Sequence, residues 1–206
     1  MKTIIKLLLA SFTILSSCTL DVSVVTENPL ESSSLVAIKA TNVLVTIPPS
    51  GLIPCDDGQA GVYPCLGYDL QALVSLETMD ASSGNDSWGW TDTLTGKEYA
   101  IMGVNDGTAF IDISTPDQPI YLGKLPTASD PSSWRDIKVY QDYAYVVSEA
   151  ADHGLQVFDL TRLRDITRVT RFIADASLNS FGNAHNIAIN ETSGFAYVIG
   201  SELFDG

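Results

Sequence analysis

The sequence predicts an all-β protein built as a β-propeller-like series of four-stranded units, or blades. Short alternating apolar runs separated by turn residues begin near residue 68, and little of the chain has a helical pattern. A similar order of runs and turns recurs roughly every 45–50 residues, a period typical of propeller blades. One blade cannot bury both faces of its sheet, so its neighbours supply the missing core. A β-sandwich with accidental internal similarity is the alternative.

The repeated strands can be read in chain order. Asn105-Asp106-Gly107 is a strong hairpin signal between the first two apolar runs. Ala100, Ala144 and Ala196 hold equivalent places in successive units. Residues 160–164 are expected to form a single helical turn. The third unit ends after its second strand, so we expect an incomplete ring and a fragment of a longer protein. The predicted strands cover residues 99–103, 108–114, 120–125, 137–140, 144–148, 155–160, 186–190 and 195–200.

Residues 1–17 have the features of a bacterial lipoprotein signal peptide. Lys2 and Lys6 precede an apolar run that is shorter than the roughly 20 residues of a membrane-spanning helix. The run closes on Leu-Ser-Ser-Cys at residues 15–18, which resembles the lipobox. We therefore expect lipidation of Cys18 and a membrane anchor at the bacterial outer membrane, the cell surface or the extracellular side. An ordinary cleaved signal with a chance cysteine is the alternative.

The rest of the chain divides into a tether and a domain. Residues 18–50 are rich in Ser, Thr, Pro and Asn and are expected to form a flexible spacer, although residues 35–47 are apolar enough to form a docked strand. Residues 51–206 form the predicted domain. Cys55 and Cys65 are expected to form a disulfide, because an exported protein meets an oxidising compartment. Two cysteines alone make a poor zinc site.

The charge of the chain restricts its partners. It carries 25 acidic and 11 basic residues, a formal net charge of −14. Binding to nucleic acid needs a positive surface, so the composition argues against a nucleic-acid partner. It suits a solvated envelope protein or one that meets cations.

Several motifs, in order over residues 52–206, resemble the choice-of-anchor B family, whose members carry LVIVD-type repeats. The resemblance implies a β-propeller-like exported domain that different bacteria attach to the surface by different anchors. It implies location and fold rather than chemistry, and the LVIVD core is matched only loosely, at residues 109–113 and 156–160. The matching motifs are GNDSWGWTD at 84–92, NDGTAF at 105–110, SSWRDIKV at 132–139, HGLQVFDL at 153–160 and GNAHNIAIN at 182–190.

A polar pair precedes the first strand of each predicted unit, and the pairs are aligned as Asp86-Ser87, Arg135-Asp136 and His185-Asn186. The first strand of a propeller blade lines the central channel, so these side chains should meet in one funnel. Asp, His and Arg together could hold a divalent cation or an anionic ligand. Alternatively, they tie neighbouring blades together. The residues of the candidate ligand funnel are Asp86, Trp88, Trp134, Arg135, Asp136, His185 and Asn186.

Three functions remain open from the sequence. The first is a surface-anchored binding or interaction module for a surface protein or a glycan. The second is a propeller-type hydrolase or lyase with a metal near Asp86, Asp136 and His185. The third is a purely structural role. No HExxH motif, serine nucleophile motif or phosphate loop is present. His153 lies in a turn and is expected to be a solvated loop residue.

Overall fold

The described residues form β-strands and two short 3₁₀ helices. The computed structural model describes Val45–Thr46 and residues 52–204. The predicted leader and Cys18 lie outside these residues, as does most of the predicted tether. Within the described ranges, no helix has the length and hydropathy of a membrane span. The all-β prediction is confirmed.

Strands β1 to β14 follow one another along the chain. One 3₁₀ helix, Leu160–Leu163, follows β10, and a second, Glu202–Phe204, follows β14. The strands are β1 Val45–Thr46, β2 Gln59–Ala60, β3 Tyr63–Pro64, β4 Gly84–Thr91, β5 Glu98–Val104, β6 Gly107–Asp112, β7 Ile120–Pro126, β8 Arg135–Tyr140, β9 Tyr143–Ser148, β10 Leu155–Asp159, β11 Thr170–Arg171, β12 Ala176–Leu178, β13 Asn186–Asn190 and β14 Phe195–Ile199.

Sheet 1 is an antiparallel meander of β4, β5, β6 and β7, with β1 and β11 both paired to β7. The Asn-Asp turn joins β5 to β6, where Val104 lies opposite Gly107. At the end of β6, the carboxylate of Asp112 accepts hydrogen bonds from the Ser114 amide (3.0 Å) and from Lys97 Nζ (2.8 Å). This carboxylate therefore ends the strand and holds the next turn.

Sheet 2 repeats the meander with β8, β9, β10 and β12, and sheet 3 consists of β13 and β14. Asp159 ends β10 as Asp112 ends β6: its carboxylate accepts from the Thr161 amide at 2.9 Å. The 3₁₀ helix Leu160–Leu163 starts there, as the sequence predicts. None of the sheets formed by the described residues closes on itself.

The core fills the spaces on and between the sheets. The largest cluster joins sheet 1 to sheet 2, where Phe110 stacks on Phe158 with ring centroids 4.6 Å apart. A second cluster, around Val147 and Ile187, joins sheet 2 to sheet 3. A third covers the opposite face of sheet 1 and includes Met79. Each sheet therefore contributes apolar residues to the core beside its neighbour, as a repeated structure requires.

The segment between β1 and β4 contains a disulfide between Cys55 and Cys65, as the sequence predicts. The short β2–β3 hairpin lies inside the loop that this bond closes. The Cys55 amide also donates to the Asp69 carboxylate at 2.8 Å. A disulfide is compatible with an extracellular location.

Candidate functional site

The candidate site lies along β4, β8 and β13, the edge strands of sheets 1, 2 and 3 that we call the inner strands. β8 is in contact with β4 on one side and with β13 on the other. Ser87 lies opposite Met102, Ile137 opposite Val146 and Ile187 opposite Val198, in each case two residues beyond the aligned alanine of the neighbouring strand. Ser87, Ile137 and Ile187 are therefore equivalent positions. The residues directly before them, Asp86, Asp136 and Asn186, are equivalent too.

This register corrects the sequence alignment of the polar pairs. The first pair is Asn85-Asp86 rather than Asp86-Ser87, and an irregularity in β4 between Gly84 and Ser87 shifts its register with β5 there. Arg135, Asp136 and Asn186 also lie within strands rather than before them. Asn85, which the sequence analysis missed, is thus equivalent to Arg135 and His185.

The two equivalent aspartates join each sheet to the next. Asp86 Oδ2 accepts a hydrogen bond from the Ile137 amide at 2.8 Å, and Asp136 Oδ2 accepts one from the Ile187 amide at 2.7 Å. Both bonds connect residues 51 positions apart. They satisfy backbone donors of β8 and β13 beside the site. Oδ2 of each carboxylate therefore has the structural role that the sequence analysis gave as the alternative, and Oδ1 of Asp136 is paired with Lys138.

The two carboxyl groups differ in their affinity for protons. Burial raises the pKa of Asp86, and the neighbouring Asp136 raises it further. Burial would also raise the pKa of Asp136, but hydrogen bonds from Lys138 Nζ (2.6 Å) and the Ile187 amide outweigh burial and lower it. Asp136 is therefore the more acidic member of the pair, and Asp86 is the one that takes up a proton more readily.

These residues surround a cavity of about 240 Å³ at the edge where the three sheets meet. Trp134 is 55% exposed at its rim and offers an open aromatic surface. Six of the seven predicted funnel residues line the cavity, so the structure brings them together. The lining consists of Asn85, Asp86, Trp134, Arg135, Asp136, His185 and Asn186.

Trp88 is the predicted funnel residue that does not line this cavity. Its indole ring lies under the Lys138 ammonium, which is 4.6 Å from the ring centroid. Lys138 is also paired with Asp136. Trp88 therefore supports the β4–β8 contact through a cation–π interaction.

Arg135 contributes mainly to a buried network behind the cavity. Its Nε donates to the Val104 carbonyl at 2.7 Å, and its Nη2 donates to the Asn105 carbonyl at 3.2 Å. Its Nη1 lies 3.1 Å from His153 Nε2. Burial lowers the pKa of Arg135 to about 10, so it remains a cation at neutral pH. The guanidinium is therefore used to hold sheet 1 against sheet 2.

The prediction for His153 is wrong, because this side chain is fully buried. A guanidinium group can only donate, so His153 Nε2 accepts from Arg135, and Nδ1 carries the proton that it donates to the Gly154 carbonyl at 3.0 Å. The turn signal at residues 152–154 indicated the chain reversal but contained no information about burial. Burial lowers the pKa of His153, and the Arg135 charge lowers it further.

We expect this network to make stability fall in mild acid. The pKa of His153 is lower in the folded chain than its unfolded value of about 6.5, so the contribution to stability is complete above that pH and is lost below it. His153→Gln should remove up to about 1.4 kcal/mol of this loss per pH unit, because glutamine still accepts from Arg135 and does not titrate. Urea unfolding between pH 7 and pH 5 measures the effect, with the exposed His185→Gln as matched control. Identical pH profiles for wild type and His153→Gln would contradict the assignment.

His185 lies on the solvent side of the cavity, where its Nδ1 is hydrogen-bonded to the Glu149 carboxylate. Glu149 follows β9 and does not line the cavity itself, and the sequence analysis did not select it. In the part of the chain that the structure describes, no group of three or more His, Cys, Asp or Glu side chains is arranged to hold a metal ion.

Comparisons of this chain with protein-family models, with curated proteins and with solved structures gave no match. The interpretation of the site therefore depends on its geometry.

Proposed function

We propose that this protein is an exported, lipid-anchored envelope protein whose β-propeller-like domain binds a ligand in the inner-strand cavity. The observation that carries the proposal is the convergence of equivalent polar positions of three sheets on one cavity with an exposed indole at its rim. Ligand sites commonly combine an aromatic surface with a few convergent polar groups. Resemblance to the choice-of-anchor B family and the lipobox-like residues 15–18 support surface display.

The ligand class follows from the groups that the cavity offers. Asn85 and Asn186 present amides, Asp86 presents a carboxylate, and Trp134 presents a flat apolar face. Hydroxyl groups can both donate to carboxylates and exchange hydrogen bonds with amides, while the C–H face of a sugar packs on an indole. A glycan, or a glycan-like part of a surface component, is therefore the ligand that this set of groups suits best.

The binding proposal is tested with two tryptophan variants that differ in position rather than chemistry. A glycan array and isolated envelope material are screened with wild type, Trp134→Ala and Trp88→Ala. We expect capture by wild type, loss in Trp134→Ala and retention in Trp88→Ala, whose indole lies outside the cavity. Absence of capture by wild type, or equal loss of capture in both variants, would contradict ligand binding in the cavity. Metal-dependent turnover on a panel of hydrolase substrates would instead favour the alternative function, a propeller-type hydrolase or lyase.

The anchor is tested separately in cells. Labelling with an alkyne analogue of palmitate should mark wild type and Cys55→Ala but not Cys18→Ala. Label on Cys18→Ala would contradict lipidation at Cys18. An unmodified N-terminus beyond residue 18 in the mature wild type would also contradict it and would favour an ordinary cleaved signal peptide.

A further inference from the structure

The carboxylate of Asp86 lines the inner-strand cavity without an ion-pair partner in the described part of the chain. Six ion pairs form among the described residues, and Asp86 takes part in none of them. Within the same ranges, the Ile137 amide is the one donor that reaches this carboxylate, at Oδ2. Asp86 therefore presents a negative charge to whatever enters the cavity.

The cations beside the cavity are committed to other partners. Lys138 Nζ lies 2.6 Å from Asp136 Oδ1 and donates to a backbone carbonyl at 3.0 Å. The guanidinium of Arg135 is buried and donates to two backbone carbonyls behind the cavity. Burial raises the pKa of Asp86 and the charge of Asp136 adds to this, while the opposing effect of Lys138 is too small to cancel them.

The equivalent position in sheet 2 shows how such a carboxylate is neutralised within the chain. Asp86 and Asp136 are equivalent, and two residues further along their strands Trp88 is equivalent to Lys138. β8 thus carries a lysine for its own aspartate, whereas β4 carries an indole in the same place. An ammonium group on a ligand would give Asp86 the kind of partner that Asp136 has within its own strand.

The surroundings of Asp86 are set by strands that the structure describes. Its carboxylate belongs to β4 and bonds directly to β8, so it lies at the junction of sheets 1 and 2. Each of these sheets is a meander of four antiparallel strands. The charge of Asp86 is therefore a property of a junction whose two sides are both known.

The other groups of the cavity define the body of the ligand. The exposed indole of Trp134 suits the C–H face of a sugar ring, and the amides of Asn85 and Asn186 suit its hydroxyl groups. The volume of about 240 Å³ lies below the roughly 300–1,000 Å³ of drug-sized sites, so the cavity suits a single ring. A sugar ring with a free amine combines these features with a positive charge.

We propose that the inner-strand cavity selects sugars that carry a free amino group, with the ammonium of the ligand paired with Asp86 and its ring against Trp134. A hydrogen bond between an ammonium and a carboxylate is stronger than one between neutral groups. Acetylation of the sugar nitrogen removes its charge, so N-acetylated sugars lose this bond. The net charge of −14 favours the approach of a cation. The inference rests on the proposed glycan binding and adds the charge of the ligand to it.

Isothermal titration calorimetry of the 206-residue chain tests this selectivity with glucosamine, galactosamine and mannosamine, each compared with its N-acetyl derivative. We expect wild type to bind one of the free amines at least tenfold more tightly than its N-acetyl counterpart. Sodium chloride at about 1 M should reduce this ratio, because salt screens a partly exposed ion pair. Neither expectation needs a variant.

Two variants then locate the charge. Asp86→Asn keeps an oxygen for the Ile137 amide but removes the negative charge, so the ratio of the two affinities should fall to about one. Asp165→Asn, which changes an exposed aspartate outside the cavity, is the matched control and should keep the wild-type ratio.

Three results would overturn the inference. Equal or tighter binding of the N-acetyl sugars by wild type would do so while leaving glycan binding itself in place. An unchanged ratio in Asp86→Asn would place the ammonium elsewhere. Calcium binding that Asp86→Asn loses, without binding of any free amine, would make a metal ion the partner of this carboxylate. Failure of the proposed function is distinct from these results, because wild type would then capture no glycan of any kind from the array.

Discussion

Asp136→Ala is expected to lower the free energy of unfolding by about 3–5 kcal/mol, the range found when one partner of a buried ion pair is removed. The substitution leaves the Ile187 amide without its acceptor and Lys138 without its carboxylate. The side chain of Asp136 is itself buried, so water does not replace these interactions fully. The loss should therefore weaken the junction between sheets 2 and 3.

Urea unfolding monitored by far-UV circular dichroism measures this effect. Asp136→Asn keeps an oxygen for the Ile187 amide but removes the charge, so its stability should lie between those of wild type and Asp136→Ala. Asp165→Ala, at an exposed aspartate, serves as control and should change stability by less than about 0.5 kcal/mol. A loss below about 1 kcal/mol for Asp136→Ala would mean that this carboxylate does not join the sheets.

Phe158→Ala is expected to cost about 3–5 kcal/mol, because it removes an aromatic ring from the centre of the largest core cluster. The ring stacks on Phe110 and meets the edge of Phe172 with centroids 5.1 Å apart. Arg162 also lies over it, with its guanidinium carbon 4.9 Å from the centroid. Its loss leaves a cavity between sheets 1 and 2.

The free energies of unfolding of Phe158→Ala and Phe195→Ala, measured by thermal and denaturant unfolding, test this prediction. Phe195 is 63% exposed on β14, so its removal should change stability little. Similar losses for the two variants would show that the core between sheets 1 and 2 is not the principal source of stability.

Much of the fold could be predicted because apolar alternation is strong in most of the longer strands. The predicted strand over residues 186–190 coincides with β13, and those over 120–125 and 155–160 differ from β7 and β10 by one residue. β4 was missed because its inward position beside the cavity favours Gly, Asn, Asp and Ser over apolar residues. β12 was missed since all three of its residues are exposed.

The sequence predicted which strands contribute to the candidate site but not the register of their polar residues. The polar positions of three units do meet at one cavity, which repeat alignment alone suggested. Local sequence does not reveal that Asp86 and Asp136 bond to backbone amides about fifty residues away, because that depends on how sheets stack. Nor does it reveal that His153 is buried, since its turn is covered by residues distant in sequence.

The hydrogen bonds of Asp86 and Asp136 also run in one direction along the chain. In both, the acceptor belongs to the earlier sheet and its donor is made 51 residues later. During synthesis on the ribosome, a nascent sheet 1 thus displays its carboxylate before β8 emerges, and sheet 2 does the same for β13. N-terminal parts of a chain generally fold first. Sheets 2 and 3 can then assemble on a strand that has already been made, β4 for sheet 2 and β8 for sheet 3, which shortens the time that their apolar faces spend exposed to other nascent chains.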